Sequence, residues 1–339
     1  ALVTIASDAA AQPSFSFAIS AVVTGTVVGN TDVVLTNDLL DATNNLPAEG
    51  SIYRPMPGVI NEDGFTVFKA MGAVGSGGLT AGNDSLLITD VTGSLQVIGQ
   101  EGMSLPDGST IPGTFKLRLL TPGGRSSTSE RFLGASTSTD YGYLISENAA
   151  TLEILSREGD PVPDGGVFTG HTGRCVADDE ERLYFPGTLS GVAATNNSGI
   201  WYDEAGELSI LALEGDDIGD LTGDLAWLGN FSAPMSAAGN GATFVAALQN
   251  NPEKPTQKTP PALNAAIVSI ATENQELVAR KGDVIPAVGK LSTFSAVSRS
   301  SIGDHAFISL LTLSTTAPVV AAANDQVLMA EIGGVKHVV

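Results

Sequence analysis

The sequence predicts an all-β protein, a β-propeller of about six blades built from repeats of about 56 residues. Three observations predict it. A strand followed by a charged residue and Gly recurs along the chain, a second landmark ending in Phe recurs with similar spacing, and several strand segments are apolar on consecutive positions. Consecutive apolar positions imply burial on both faces, as when sheets stack face to face.

The first repeat element has four copies. They are Leu95 to Gly102, Leu152 to Gly159-Asp160, Leu208 to Gly215-Asp216, and Leu277 to Gly282-Asp283, with the glycines 57, 56 and 67 residues apart. The longest interval holds a Pro-rich insert, 250–262, whose prolines cannot donate to a ladder and mark a surface loop. Asp160, Asp216 and Asp283 recur with the repeat, which points to turn capping through their side-chain oxygens.

The second landmark has the form Asn-x-x-Gly-x-x-Ala-Phe, closest at Asn61 to Phe68 and Ser300 to Phe307. Weaker copies end at Phe132, Phe185 and Phe244, and Phe17 suggests a sixth. Hairpins with polar turns follow, as in Tyr143 to Ile154 and Gly199 to Ile210, while Ala265 to Ile270 is small or apolar throughout. A four-stranded blade with generous loops fits this period, so a propeller spanning 1–339 as one domain is preferred to a β-solenoid or tandem sandwiches.

These residues resemble a group of secreted bacterial proteins described by a tandem NxxGxxAF repeat, often with a C-terminal anchor. The resemblance rests on 61–68 and 300–307, since the copies at 125–132 and 178–185 lack Gly at the expected place. It implies export and repetition and no established chemistry. Ala1-Leu2-Val3-Thr4 also reads like a mature end left by signal-peptide cleavage, so a secreted, extracellular location is expected.

Sixteen basic against thirty-seven acidic residues leave a charge of −21, which excludes nucleic-acid partners because phosphates are repelled. The charge fits a soluble extracellular protein, a salty habitat or scattered Ca²⁺ sites alike. No apolar run reaches the roughly 20 residues of a membrane helix, so no membrane insertion is expected. Cys175 is the sole cysteine and reads as buried filler.

No Gly-x-Ser-x-Gly elbow, His-Glu-x-x-His helix or Walker loop occurs, and no cofactor is expected. Gly72 to Gly78 reads as a loop. His337 alternates with valines in a strand, His305 belongs to the repeat, and His171 with Arg174 and Cys175 forms a catalytic candidate on a loop. Asp178 to Glu181 reads as a solvated turn rather than a Ca²⁺ loop. Asn83, Asn196 and Asn230 begin glycosylation sequons, and the Ser/Thr-rich stretch 126–139 is a candidate for O-linked sugar.

Val327 to Val339 copies the repeat hairpin, and Ala1 to Asp8 resembles the same final strand, so two segments compete for one strand slot. An unpaired apolar edge templates strand addition. The expected function is therefore a non-enzymatic, self-assembling structural subunit, a homo-oligomer or filament, with Leu2, Val3, Ile5, Val335, Val338 and Val339 as the candidate interface. Two alternatives stand beside it: a binding module for a cell-surface glycan or protein using Trp201, Tyr202 and Trp227, and a propeller hydrolase or lyase.

Overall fold

The computed structural model describes residues 3–7, 17–21, 39–40, 50–163, 165–171, 175–204, 206–218, 226–250, 264–271, 274–315, 318, 320–321 and 325–339. The chain divides into two compact units, Ala1–Val33 and Val34–Val339. In the smaller, β1 (Val3–Ser7) pairs antiparallel with β2 (Phe17–Ala21).

The larger unit is a β-propeller, with five antiparallel sheets among the described residues. Sheet one holds β3 (Leu39–Leu40), β4 (Gly50–Ile60), β5 (Thr66–Gly72), β6 (Ser85–Thr89) and β7 (Gln96–Gln100). Sheet two holds β8 (Lys116–Leu120), β9 (Ser126–Arg131), β10 (Tyr141–Ser146) and β11 (Glu153–Arg157). Sheet three holds β12 (Val167–His171), β13 (Val176–Ala177), β14 (Leu183–Ser190), β15 (Ser198–Glu204) and β16 (Glu207–Leu213). Sheet four holds β17 (Ala226–Ala238), β18 (Gly241–Asn250), β19 (Ala265–Ala271) and β20 (Asn274–Arg280). Sheet five holds β21 (Val284–Ile285), β22 (Gly289–Arg299), β23 (His305–Leu311), β24 (Gln326–Ile332) and β25 (Val335–Val338). Of the Pro-rich insert 250–262, Asn250 ends β18 and 251–262 lie outside the described residues, and Phe17 opens β2 of the smaller unit.

A hydrophobic core fills each gap between successive sheets. Val67 and Leu87 meet Phe115 and Leu144, Tyr143 and Ile145 meet Phe168 and Trp201, Ile200 meets Phe244, and Ile267 meets Phe307. Sheets two, three and four are thus covered on two sides, which is why strands such as β10 and β15 are buried almost continuously.

The first repeat element joins one sheet to the next. Gly159, Gly215 and Gly282 adopt φ of 91°, 97° and 92°, and their N–H groups donate to the carbonyls of Phe168 on β12, Leu228 on β17 and Leu291 on β22, each in the following sheet. Asp160, Asp216 and Asp283 accept from the backbone N–H three residues earlier, at 2.8, 2.7 and 2.9 Å. The capping expected of these aspartates is what the structure has.

The second element is a turn before β5, β9, β14 and β23, closed by a side-chain oxygen. Asn61 Oδ1 accepts from Phe65 N–H at 2.9 Å, Thr121 Oγ1 from Arg125 at 2.9 Å, Asp178 Oδ1 from Arg182 at 3.0 Å, and Ser300 Oγ from Asp304 at 3.0 Å. In sheet two the turn therefore begins at Thr121, four residues before the register that ends on Phe132. In sheet three 178–185 is in register, with Glu181 at φ 64° where Gly64 and Gly303 stand elsewhere.

These turns also interlock. Asn61 Nδ2 donates to Thr121 O at 2.9 Å, Gly123 N–H donates to the Glu181 carboxylate, Asp179 N–H donates to Gly239 O at 3.2 Å, and Arg299 Nε donates to Ala238 O at 3.0 Å. The turns of the five sheets are thereby linked in chain order.

Candidate functional site: a polar cleft between the last two sheets

A cleft of about 280 Å³ opens between sheets four and five, beside the Ser300–Asp304 turn. Cross-strand register brings its side chains together. Glu276 on β20 lies opposite Ser269 on β19, Arg299 on β22 opposite His305 on β23, and His305 opposite Glu331 on β24.

The Arg299 guanidinium is anchored. Nε donates to Ala238 O, and Nη1 donates to Ser269 Oγ at 2.5 Å, a hydroxyl that also receives Thr243 Oγ1 at 2.9 Å. Nη1 lies 3.4 Å from His305 Nε2. A guanidinium only donates, so this contact places the ring proton of neutral His305 on Nδ1. Nδ1 in turn faces Glu331 Oε2 at 3.6 Å.

Both histidine and glutamate are perturbed. Burial, followed by the Arg299 charge, lowers the His305 imidazole, against the opposing pull of Glu276. Burial and then the Glu276 carboxylate push Glu331 up to about 7. Glu331 Oε2 is buried and has no hydrogen-bond partner. Asp304 Oδ1 accepts from Gly333 N–H at 2.9 Å and ties the turn to the β24–β25 hairpin. Two carboxylates and an imidazole thus converge where they can exchange protons or hold a cation.

The other sequence candidates lie elsewhere. His171 is on β12 and not on a loop, buried among Tyr143, Phe168 and Phe185, with Nε2 2.7 Å from Ser156 Oγ. Burial lowers it to about 4, so it is a core histidine; Cys175 shares that core and Arg174 falls outside the described residues. Trp201 is fully buried against Phe168, Tyr202 is half-buried on Tyr184, and the Trp227 side chain is outside the described residues. A binding face built on Trp201 is corrected by this burial.

Asp178 is buried rather than solvated, accepting from Arg182 Nε and Tyr184 OH, each at 2.8 Å. Asn196 and Asn230 are exposed and Asn83 is half-buried, accepting from Thr80 N–H at 2.6 Å. Ser126 to Ser129 are buried and so unavailable to O-linked sugar. The cleft itself escaped sequence reasoning because His305 reads as part of the repeat. Its only trace is a departure: Thr66, Ser126 and Leu183 hold the corresponding place in sheets one to three.

A family model described as a family of unknown function, DUF7453, matches residues 60–339. The chain belongs to DUF7453. That span includes every residue of the cleft. No curated protein matches this DUF7453 chain. Among solved structures it is similar to the polysaccharide lyase Uly1, with 12% identity over 84% of this chain and 58% of that one, at a TM-score of 0.37. It is also similar to the α-L-arabinofuranosidase Arb93A from Fusarium graminearum, with 10% identity over 89% and 95% of the two chains and a TM-score of 0.34. A third is the β-propeller domain of the Trilobed protease from Pyrococcus furiosus, with 10% identity over 86% and 85% and a TM-score of 0.33.

The expectations of a non-enzymatic chain and of a self-assembling structural subunit are both corrected. Two of the three similar propellers bear the names of a lyase and a glycosidase. The two terminal strands do not compete for one place, because β1 pairs with β2 and β25 pairs with β24. Of the candidate interface, Val335, Val338 and Val339 are exposed on or beside β25. Val3 and Ile5 are on β1 and face Ala21 and Ile19 in register, while Leu2 falls outside the described residues.

Proposed function

We propose that this DUF7453 chain is a glycan-cleaving β-propeller enzyme whose chemistry takes place in the cleft between sheets four and five. The observation that carries this reading is the convergence of Glu276, His305 and Glu331 beside an anchored Arg299 in an open polar cleft. Buried groups with perturbed protonation, gathered in a concave site, mark a place where charge or protons are handled.

Hydrolysis is favoured over elimination. A lyase must bind a uronate, and that carboxylate would meet Glu276, Asp304 and Glu331 in a chain of charge −21. Of the positive groups beside the cleft, Arg299 already directs donors to Ala238 O and Ser269 Oγ, and Lys336 lies opposite Glu331 across β24–β25. A neutral glycan suffers no such repulsion. An extracellular place of action belongs to the same proposal, since polysaccharides are met there.

The test is incubation with a panel of neutral and acidic polysaccharides, following new reducing ends for hydrolysis and ultraviolet-absorbing unsaturated uronate for elimination. Reducing ends from a neutral glycan, lost in Glu276→Gln, are the expected result. Unsaturated uronate would overturn the hydrolytic assignment, and no cleavage of any glycan would overturn the enzymatic one.

A further inference from the structure

Glu331 is buried with a side chain only 8% exposed, yet nothing donates to its Oε2. A carboxylate oxygen in that position normally has a donor or a cation, because leaving it unmatched costs on the order of 1–3 kcal/mol. The same carboxylate faces the like charge of Glu276. Glu276, His305 and Glu331 each offer one ligand atom, and these atoms lie within 4.8 Å of one another. Ligands held at about 2.0–2.2 Å from a single ion stand at most about 4.4 Å apart, so closing the site requires only small side-chain shifts.

We propose that Glu276, His305 and Glu331 bind one first-row divalent cation, Zn²⁺ or Mn²⁺, in the cleft. The donors come from β20, β23 and β24 of two neighbouring sheets, so the ion would also bridge those sheets. One imidazole and two carboxylates suit these metals better than Ca²⁺, which takes six to eight oxygen ligands. Three protein ligands leave a position for water, and with the hydrolytic reading above, on which this use of the ion rests, that water is the group the ion would activate.

Arg299 sets the strength of the site. It lies at the far edge of the imidazole, 3.4 Å from Nε2. When Nδ1 becomes a ligand the ring proton moves to Nε2 and faces the guanidinium, so Arg299 opposes the ion by charge and by donor–donor contact. Arg299→Gln is therefore expected to tighten binding several-fold.

The experiment is calorimetric titration of the metal-stripped full chain with ZnCl₂ and MnCl₂, with CaCl₂ as comparison and no glycan present. One ion per chain is expected, with affinity falling more than about tenfold in Glu331→Gln and in Glu276→Gln. Glu331→Gln should at the same time raise the metal-free Tm, since it removes a buried charge, and abolish the rise in Tm on adding metal. That opposite pair of effects separates loss of a ligand from loss of the fold. Binding that survives both glutamate variants but disappears in His337→Gln, at the exposed histidine of β25, would overturn the site, as would no binding at millimolar metal. A failed glycan assay leaves this result standing, because the cation is tested alone.

Discussion

Glu181 holds the left-handed position of its turn, at φ 64°, and reaches Gly123 of the preceding sheet, whose N–H it accepts. Gly64 and Gly303 hold the same position in their own turns at φ 88° and 92°. A residue with a Cβ is strained there by roughly 1–2 kcal/mol, and the inter-sheet hydrogen bond offsets that cost. Glu181→Ala keeps the strain and loses the bond, so it should destabilise by about 1 kcal/mol. Glu181→Gly loses both and should fall close to the parent. Denaturant midpoints of the parent and the two variants test this, and an alanine variant as stable as the parent would remove Glu181 from the linkage.

Asp178 is the keystone of the same turn. It accepts from the N–H groups of Glu180 and Arg182, from Arg182 Nε and from Tyr184 OH. Burial and the Asp178 charge both push the Tyr184 phenol up, so it stays a donor. Asp178→Ala takes from Arg182 its buried carboxylate partner and leaves it the exposed Glu180 and Glu204, at 3.2 and 3.8 Å, and should cost about 3 kcal/mol. Asp178→Asn, which keeps the shape but not the charge, should cost less. Thermal unfolding of the pair checks the order.

The repeats were legible because local chemistry writes them: a Gly followed by a capping Asp reads the same in any sheet, and Asp160, Asp216 and Asp283 all cap as predicted. The acidic run at 178–181 was legible as a turn but not as a buried one. Its burial depends on Arg182 and Tyr184 folding back over it, and on Gly239 of the next sheet. The cleft was hidden for a stronger reason. Its members meet through register across β19–β20, β22–β23 and β23–β24, and nothing in the spacing of Glu276, Arg299, His305 and Glu331 announces that register.

His171 should give the fold an acid sensitivity of its own. Its imidazole is neutral and buried, held at about 4 against an ordinary 6.5. Between those values the unfolded chain binds a proton that the folded chain does not, so stability falls as pH drops through 6.5 and stops falling from this source below about 4. The loss amounts to about 3 kcal/mol. His171→Gln should lower stability at pH 7, through the lost packing and the Ser156 contact, while flattening the dependence between pH 6.5 and 4. An unchanged slope in that variant would assign the acid response to other groups.

Ser269 should control the tautomer of His305. The hydroxyl receives both Thr243 and Arg299, and Arg299 in turn faces the ring nitrogen Nε2. With the guanidinium held there, the proton of the neutral ring belongs on Nδ1, pointing at Glu331. Ser269→Ala removes one anchor while leaving the Nε bond to Ala238 O, so the fold should lose only about 1 kcal/mol. The ring would no longer be fixed by a donor on one side, and ¹⁵N-edited spectra of metal-free protein should change from a single Nδ1–H pattern to a mixture of tautomers. His305 is the reporter because it faces both the positive anchor and the unmatched carboxylate. A single tautomer retained in Ser269→Ala would mean that Ala238 O alone positions Arg299.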